Sequence, residues 1–447
     1  MINIRHLFVW KASLVLFLPM AFTQAYPQGR LEKLDANQAI AAALANNREL
    51  QLATLDEKIA AARFRETEAI FMPQAGLSYT AMTTNNPLNA FGFKLQQQSI
   101  AQTDFDPSLL NHPKSTADFT TRVDIQQPLL NMDQYYLRKG AYKQVEASRF
   151  KSERTKDGLV FEVQKAYMQL QLAYSSVKVW EDALQTARAL YRFTADRVEQ
   201  GLLRKPDALN ANVQVITTES NLATARSNVK NASDYLSLLM GKPYGVVYTV
   251  DDKELPVAEL PVADTSLPAG RADFAALHKA IEASDLAIRS RRLSALPRLN
   301  AFGSYQLNDN RMLGFGANAY LAGIQLSWDI FKGNSIRNKV STQTMERNKL
   351  VQELSFREEQ SRLELNKAQR QLADAAYKIR QQDAAVLNAS ESLRILNDRY
   401  EQGLAGNTDV LMAQTQLSQQ RLALAQAIFE HNVTAAYIHF LTTPSGK

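Results

Sequence analysis

The sequence predicts a mainly α-helical chain with a membrane β-barrel portion: long antiparallel helical coiled coils plus four β-strands per protomer, arranged as two internal structural repeats. Three observations predict it. The phrases RVEQGLLRKPDALNA at 197–211 and RYEQGLAGNTDVLMA at 399–413 agree at eight positions and lie 202 residues apart. A heptad seam recurs at the same offset. Four short segments, in two well-separated pairs, alternate with period two.

The alternating segments are predicted as strand pairs at 73–82 with 117–127 and at 298–308 with 320–329. In the first, Ala75, Leu77, Tyr79 and Ala81 oppose Gln74, Gly76, Ser78 and Thr80; in the last, Tyr320, Ala322, Ile324, Leu326 and Trp328 oppose Leu321, Gly323, Gln325, Ser327 and Asp329. Phe302 is the exception, an aromatic residue on a polar face. Each run has the length of a tilted membrane strand, about ten residues. A soluble antiparallel sheet gives the same alternation. Against it stand the isolation of the two pairs among long helical stretches and the aromatic residues Tyr79, Tyr305, Tyr320 and Trp328 near strand ends, where an interfacial girdle needs them.

The helical seam runs Leu159, Val163, Ala166, Leu170, Ala173, Val177, Trp180, Leu184, Ala187, Tyr191, in alternating steps of four and three. Adding 202 gives Ser361, Leu365, Ala368, Leu372, Ala375, Ile379, Gln382, Val386, Ala389 and Leu393, the same seam with no insertion. Long helices are therefore predicted at 133–200, 206–240, 335–402 and 408–441, with Gly140 and Gly158 as local weak points. Rods of this length, about 100 Å at 1.5 Å per residue, project from something or line something long.

The repeated phrase is the bend between two rods. Gly201 and Gly403 suit the left-handed position that ends a helix, and Pro206 suits the first turn of the next, with Asn407 expected to cap its counterpart. Asp207 and Asp409 lie in that first turn, near the positive end of the dipole. Leu202 and Leu404 fall at the exposed tips, where an apolar side chain either invites a partner or packs back on its own helix. Leu34–Phe71 and Ala272–Ala295 read as shorter helices before each strand pair, and the proline- and glycine-rich 241–270 as a connector.

The rest of the composition sets bounds. Arg5 and Lys11, the apolar run Ala12–Leu18 and the small residues of Thr23-Gln24-Ala25 predict a signal peptide at 1–25. Its removal lowers the formal charge from +6 to +4. The remaining charges alternate in sign along helices, a solvated pattern with no footprint for nucleic acid. There is no Cys among the 447 residues, hence no disulfide and no cysteine lipid anchor. After the signal no run reaches the roughly 18 apolar residues of a spanning helix, so entry into a membrane must be as strands. His431 and His439 lack a third ligand at metal spacing, and there is no GxSxG elbow or P-loop. No enzyme, metal site or cofactor is expected.

Four membrane strands cannot close a barrel. Two, three or four copies would supply eight, twelve or sixteen strands, with the polar faces lining a wet lumen. The residues NNRELQLA at 46–53, FMPQAGLSYT at 71–80, IQQPLL at 125–130, RADFAALHKAI at 271–281, ALPRLNAFGSY at 295–305 and GIQLSWDIFKGN at 323–334, in this order and with both turn phrases, resemble the TolC-type family of outer-membrane efflux proteins across nearly all the mature length. The resemblance implies a homotrimer with a twelve-stranded barrel in outer-membrane lipid, continued by a periplasmic helical tunnel. Its tips (Gly201, Leu202, Gly403, Leu404) would dock a periplasmic adaptor, a membrane fusion protein, coupled to an inner-membrane pump of RND or ABC type. The chain would be a passive conduit of a tripartite efflux system. Protein secretion by the type I route is the alternative within that class, and a soluble periplasmic coiled-coil scaffold the alternative outside it.

The resemblance also implies a periplasmic gate. Asp409 matches a position where carboxylates from the copies ring the opening, and three such charges would repel one another and attract cations. The second family aspartate is here Met412, which leaves a single ring or an apolar constriction. Tyr400 and Asp207 match a tyrosine and a carboxylate that tie neighbouring tips in the closed state. The family's arginine in the second turn is here Ala405, which predicts a weaker lock.

Overall fold

In a computed structural model, residues 30–250 and 267–444 are described; the expected signal peptide and most of the expected connector lie outside them. The elements are β1 (Arg30–Lys33), α1 (Ala36–Asn46), α2 (Arg48–Glu66), β2 (Gln74–Thr84), α3 (Pro87–Gln96), α4 (Pro107–Asn111), β3 (Thr116–Leu130), α5 (Met132–Glu199), α6 (Lys205–Met240), β4 (Val246–Thr249), α7 (Ala272–Leu293), β5 (Arg298–Asp309), β6 (Ala317–Ser327), α8 (Ser335–Glu401) and α9 (Asn407–Thr442).

Strands β2-β3-β5-β6 form one sheet in that order, every pair antiparallel. The register keeps the apolar positions in common rows. Leu77 faces Val123, Val123 faces Tyr305, and Tyr305 faces Tyr320; Ala75, Ile125, Gly303 and Ala322 form the next row. This face is bare within one chain, Leu77 and Tyr320 being 75% and 84% exposed. The outer strands β2 and β6 have no second neighbour among the described residues. Phe302 sits opposite Gly323, and a Cβ on that glycine would lie 3.0 Å from the Phe302 ring. The out-of-pattern aromatic covers the glycine and holds the strand pair where it has no side chain of its own.

The end of the sheet remote from the long helices is tied by a polar cluster. The buried Asp118 accepts from Gln97 Nε2 (2.9 Å), Asn308 Nδ2 (3.1 Å) and Thr120 Oγ1 (2.5 Å). Gln97 ends α3, so the β2–β3 connection folds back over the polar face. The sequence held no reading for that connection.

Helices α5 and α8 are continuous over 68 and 67 residues. Gly140 does not interrupt α5: a Cβ there would lie 3.3 Å from the carbonyl oxygen of Ala283 on α7, so the glycine lets two helices approach closely. Leu159, Val163, Ala166, Leu170, Ala173, Leu184 and Ala187 of the seam are buried, as are Ser361, Leu365, Ala368, Ala375 and Leu393 of its repeat. Knobs at alternate steps of three and four are what antiparallel helix pairs bury.

Two features depart from the sequence reading. The stretch expected as one helix over Leu34–Phe71 breaks at Asn47, whose Oδ1 caps α2 at Leu50 N (3.0 Å) while its Nδ2 donates to Leu239 O at the end of α6 (2.9 Å). Gly241 closes α6 at φ +64°, and a Cβ there would lie 2.6 Å from Asn46 O, so only glycine fits. The connector contributes β4, which pairs in parallel with β1. Tyr248 of β4 is wholly buried, its hydroxyl 3.1 Å from Ser237 Oγ, in a core shared by α1, α5 and α6. Four-residue strands carry too little period to be read in advance.

The first turn of α7 is fastened by Arg271, nearly fully buried, which donates to both carboxylate oxygens of Asp273 at 2.7 Å and to Ser361 Oγ on α8 at 2.6 Å. Burial raises the Asp273 pKa, but the hydrogen bonds and charge of Arg271 outweigh it and hold the carboxyl below its usual value. A carboxyl depressed in the fold adds stability that is present above its unfolded pKa, about 3.9, and disappears as pH falls through the lower folded value. The thermal stability gap between the native chain and Asp273→Asn in detergent is therefore expected to shrink from about pH 5 to about pH 3; a gap independent of pH would refute this account.

Candidate functional site at the helix tips

The bends between α5 and α6 and between α8 and α9 lie at the end of the rods remote from the sheet, and the repeated phrase builds them alike. Gly201 and Gly403 both have φ +76°. Leu202 N donates to Arg197 O and Leu404 N to Arg399 O, each at 2.8 Å, the six-to-one bond that closes a helix through a left-handed residue. Both leucines are left 65% exposed. They project from the tips and do not pack back.

The next helices start with the same device. Asp207 Oδ2 accepts from Arg204 N (3.2 Å) and Asp409 Oδ2 from Gly406 N (3.0 Å), each carboxylate capping its own helix. One difference separates them. Arg204 Nε stands 3.7 Å from Asp207, whereas the matching residue beside Asp409 is Gly406, which carries no charge. Asp409 is exposed, and Met412, one turn on, is 67% exposed.

An apolar cluster joins the two tips inside one chain. Leu190 of α5, Leu393 and Tyr400 of α8, and Val410 and Leu417 of α9 are its buried members, with Phe193 and Leu203 packed against them. Tyr400 is 5% exposed. Its hydroxyl meets Thr194 Oγ1 at 3.0 Å, and Thr194 already donates its own proton to Leu190 O at 2.8 Å, so the tyrosine is the donor. Asp207 is not its partner within the chain. What does reach Asp207 across the repeats is Asn407, whose Nδ2 donates to the Asp207 carbonyl at 2.9 Å. Arg197 donates to the carbonyl of Glu401 at 3.0 Å and lies over Phe193. Asn407, expected as the cap of α9, is instead its first residue: Gly406 holds the cap position and the Asn407 amide is turned to the other repeat. Thr194 and Arg197 escaped the sequence reading, although Arg197 and its counterpart Arg399 belong to the repeated phrase.

Residues 39–242 and 266–436 match the model of the outer membrane efflux protein family. The chain belongs to that family. Among curated relatives, the cation efflux system protein CusC of Escherichia coli O157:H7 is 26% identical over 266 residues, 58% of this chain and 53% of CusC. The outer membrane protein TolC of Salmonella enteritidis is 23% identical over 421 residues, 88% of this chain and 79% of TolC. The match thus spans about half of the CusC length and most of TolC. A crystal structure of CusC superposes with a TM-score of 0.78 at 18% identity over 92% of each chain, a likeness of fold. As a member of the outer membrane efflux family, the chain resides in the outer membrane, with its long helices as the periplasmic extension. No helix among the described residues is long and apolar enough to cross a membrane, and no group of three or more His, Cys, Asp or Glu among them is placed to hold a metal ion. His431 is buried beside Asn432, and His439 lies near Thr443.

The Thr194–Tyr400 bond pins α8 to α5 just above the tip. Losing a hydrogen bond of this kind costs about 0.5–1.5 kcal/mol. Tyr400→Phe is expected to speed amide hydrogen exchange over residues 397–406 by up to about tenfold; an unchanged rate would show that the bond does not restrain the tip.

Proposed function

We propose that this chain is the exit duct of a tripartite efflux assembly: three copies close a twelve-stranded barrel in the outer membrane, and their rods form a tunnel through the periplasm. A periplasmic adaptor and an inner-membrane pump supply coupling and energy, and the duct conducts passively. In this reading residues 1–25 are the signal peptide, and 26–240 and 271–447 are two repeats joined by 241–270. The observation that carries it is the four-stranded sheet, with its apolar face bare and both edges unpaired, standing on rods of about 100 Å. Such a sheet has no stable place in lipid until further copies complete it.

A metal cation is the first cargo to assay. Curated relatives include proteins named for cation efflux, and copies of Asp409 gathered at the opening would favour cations over anions. The adaptor meets the tips at Leu202 and Leu404, which are exposed, apolar and identically presented.

The mature protein in detergent should be a trimer by native mass spectrometry, and a stable monomer in detergent-free buffer would overturn the duct. In planar bilayers Asp409→Ala should raise single-channel conductance or weaken block by cations; if both stay at the native level, Asp409 has no part in the opening. Combining Leu202→Asp with Leu404→Asp should abolish export in cells while trimers still assemble, and full export by that variant would remove the docking assignment.

A further inference from the structure

Helix α3 lies across the polar face of the sheet, at the end remote from the rods. Gln97 donates through Nε2 to Asp118 Oδ1 at 2.9 Å and to the carbonyl of Ala117 at 2.8 Å. The next residue, Gln98, reaches β6, its Nε2 standing 3.5 Å from the carbonyl oxygen of Asn318. Asp118, Asn308 and Ala317 of the sheet are buried there, as is Ala90 of α3 itself. The two sides of α3 differ. Ala90 and Gln97, two turns apart, turn to the sheet. Leu88 and Leu95, also two turns apart, fall on the opposite side and are 81% and 54% exposed. Gly92 sits between those leucines, and a Cβ there would meet nothing within 4 Å. Glycine is a poor choice inside a helix, and no contact within the chain requires it at this position.

We infer that the side of α3 formed by Leu88, Gly92 and Leu95 docks on the same side of its copies at the barrel axis and seals the outer mouth of the duct. The inference rests on the three-copy duct proposed above. In that duct the apolar face of the sheet meets lipid, so the polar face and the helix lying on it are inside. The dimensions then decide the outcome. Twelve strands about 4.8 Å apart and tilted about 45° enclose a wall of about 13 Å radius. A helix packed on that wall through small side chains has its axis about 8–10 Å further in. What remains to the barrel axis, about 3–5 Å, is no more than the helix's own radius of about 5 Å. Three copies of α3 leave no wet bore between them.

The residues on the inner side fit that place. Leu88 and Leu95 would otherwise stand as bare apolar side chains in a water-filled lumen; meeting their copies removes them from water. Gly92 supplies the missing side chain that lets the backbones come close. Two leucines from each of three copies make a dry constriction, which stops ions by excluding water. Towards the wall, α3 is held by polar contacts of Gln97 that water can replace. Lys94 pairs with Asp104, and Phe91 stacks edge-on against Phe105 at 5.7 Å, so α3 and the segment after it move as one piece. Conduction requires that piece to leave the axis.

Because the native chain has no cysteine, Leu88→Cys and Leu95→Cys each carry a single thiol. Oxidation with copper phenanthroline in air should link copies of either variant into disulfide-bonded dimers on a denaturing gel, the third copy staying unlinked. If native mass spectrometry shows both variants as trimers and the denatured chains of both stay monomeric, the seal is wrong and the duct stands. If both variants and the native chain are monomeric in detergent, the seal and the duct fall together. Planar bilayers give an independent reading. Linking Leu95→Cys should lower conductance by about tenfold or more, as a dry constriction does, and dithiothreitol should restore it. Linked trimers that conduct at the native level would show that the helices meet without closing the exit, and would overturn the seal.

Discussion

The structure turns on the hydrogen-bonding capacity of two strand edges. Every backbone amide and carbonyl in lipid must find a partner, since there is no water to take its place. Strands β2 and β6 each leave one side unpaired among the described residues, and the apolar rows led by Leu77 and Tyr320 leave one face bare. A single copy therefore has a membrane-suited face without a closed wall. In the proposed duct this shortage makes assembly of copies the central requirement, and the polar face, with Arg122 and Asp124 paired at 2.8 Å, would line the inside of what the copies enclose.

Duplication supplies the second theme. The same fifteen-residue phrase folds twice into the same turn, down to equal φ values at Gly201 and Gly403 and matching bonds at Leu202 and Leu404. Backbone identity does not bring equal surroundings. Asp207 has a guanidinium near it and Asp409 has none; Leu411, Thr415 and Ser418 of α9 are at least partly covered, whereas their counterparts Leu209, Val213 and Ile216 of α6 are more than half exposed. The two tips have thus diverged in charge and exposure while keeping one geometry, which is how a repeated chain acquires an inner and an outer side.

Much of the candidate site was legible because it depends on local rules. A glycine at a left-handed position, a carboxylate three residues into a helix and a leucine on a short turn are read from spacing alone. Tyr400 was legible as a position but not as a contact: its hydroxyl goes to Thr194, a residue on another rod 206 places away in the chain. Asn407 and Arg197 reach across the repeats in the same way. Pairings of that kind depend on the azimuth of one rod against another, and a heptad pattern leaves the choice of neighbour open.

The sequence by itself determined the periodic elements: the two pairs of alternating strands, the four rods and their bends, and the 202-residue offset that relates them. These follow from side-chain repeats of two and three-and-a-half residues, which short-range sterics and burial impose on any chain. Only the tertiary structure decided the strand order β2-β3-β5-β6, the break at Asn47, the small β1–β4 pairing around Tyr248 and the fold-back of α3 onto Asp118. Each of these rests on contacts between residues far apart in the chain, whose free energy comes from packing and buried hydrogen bonds and leaves no period along the sequence to be read.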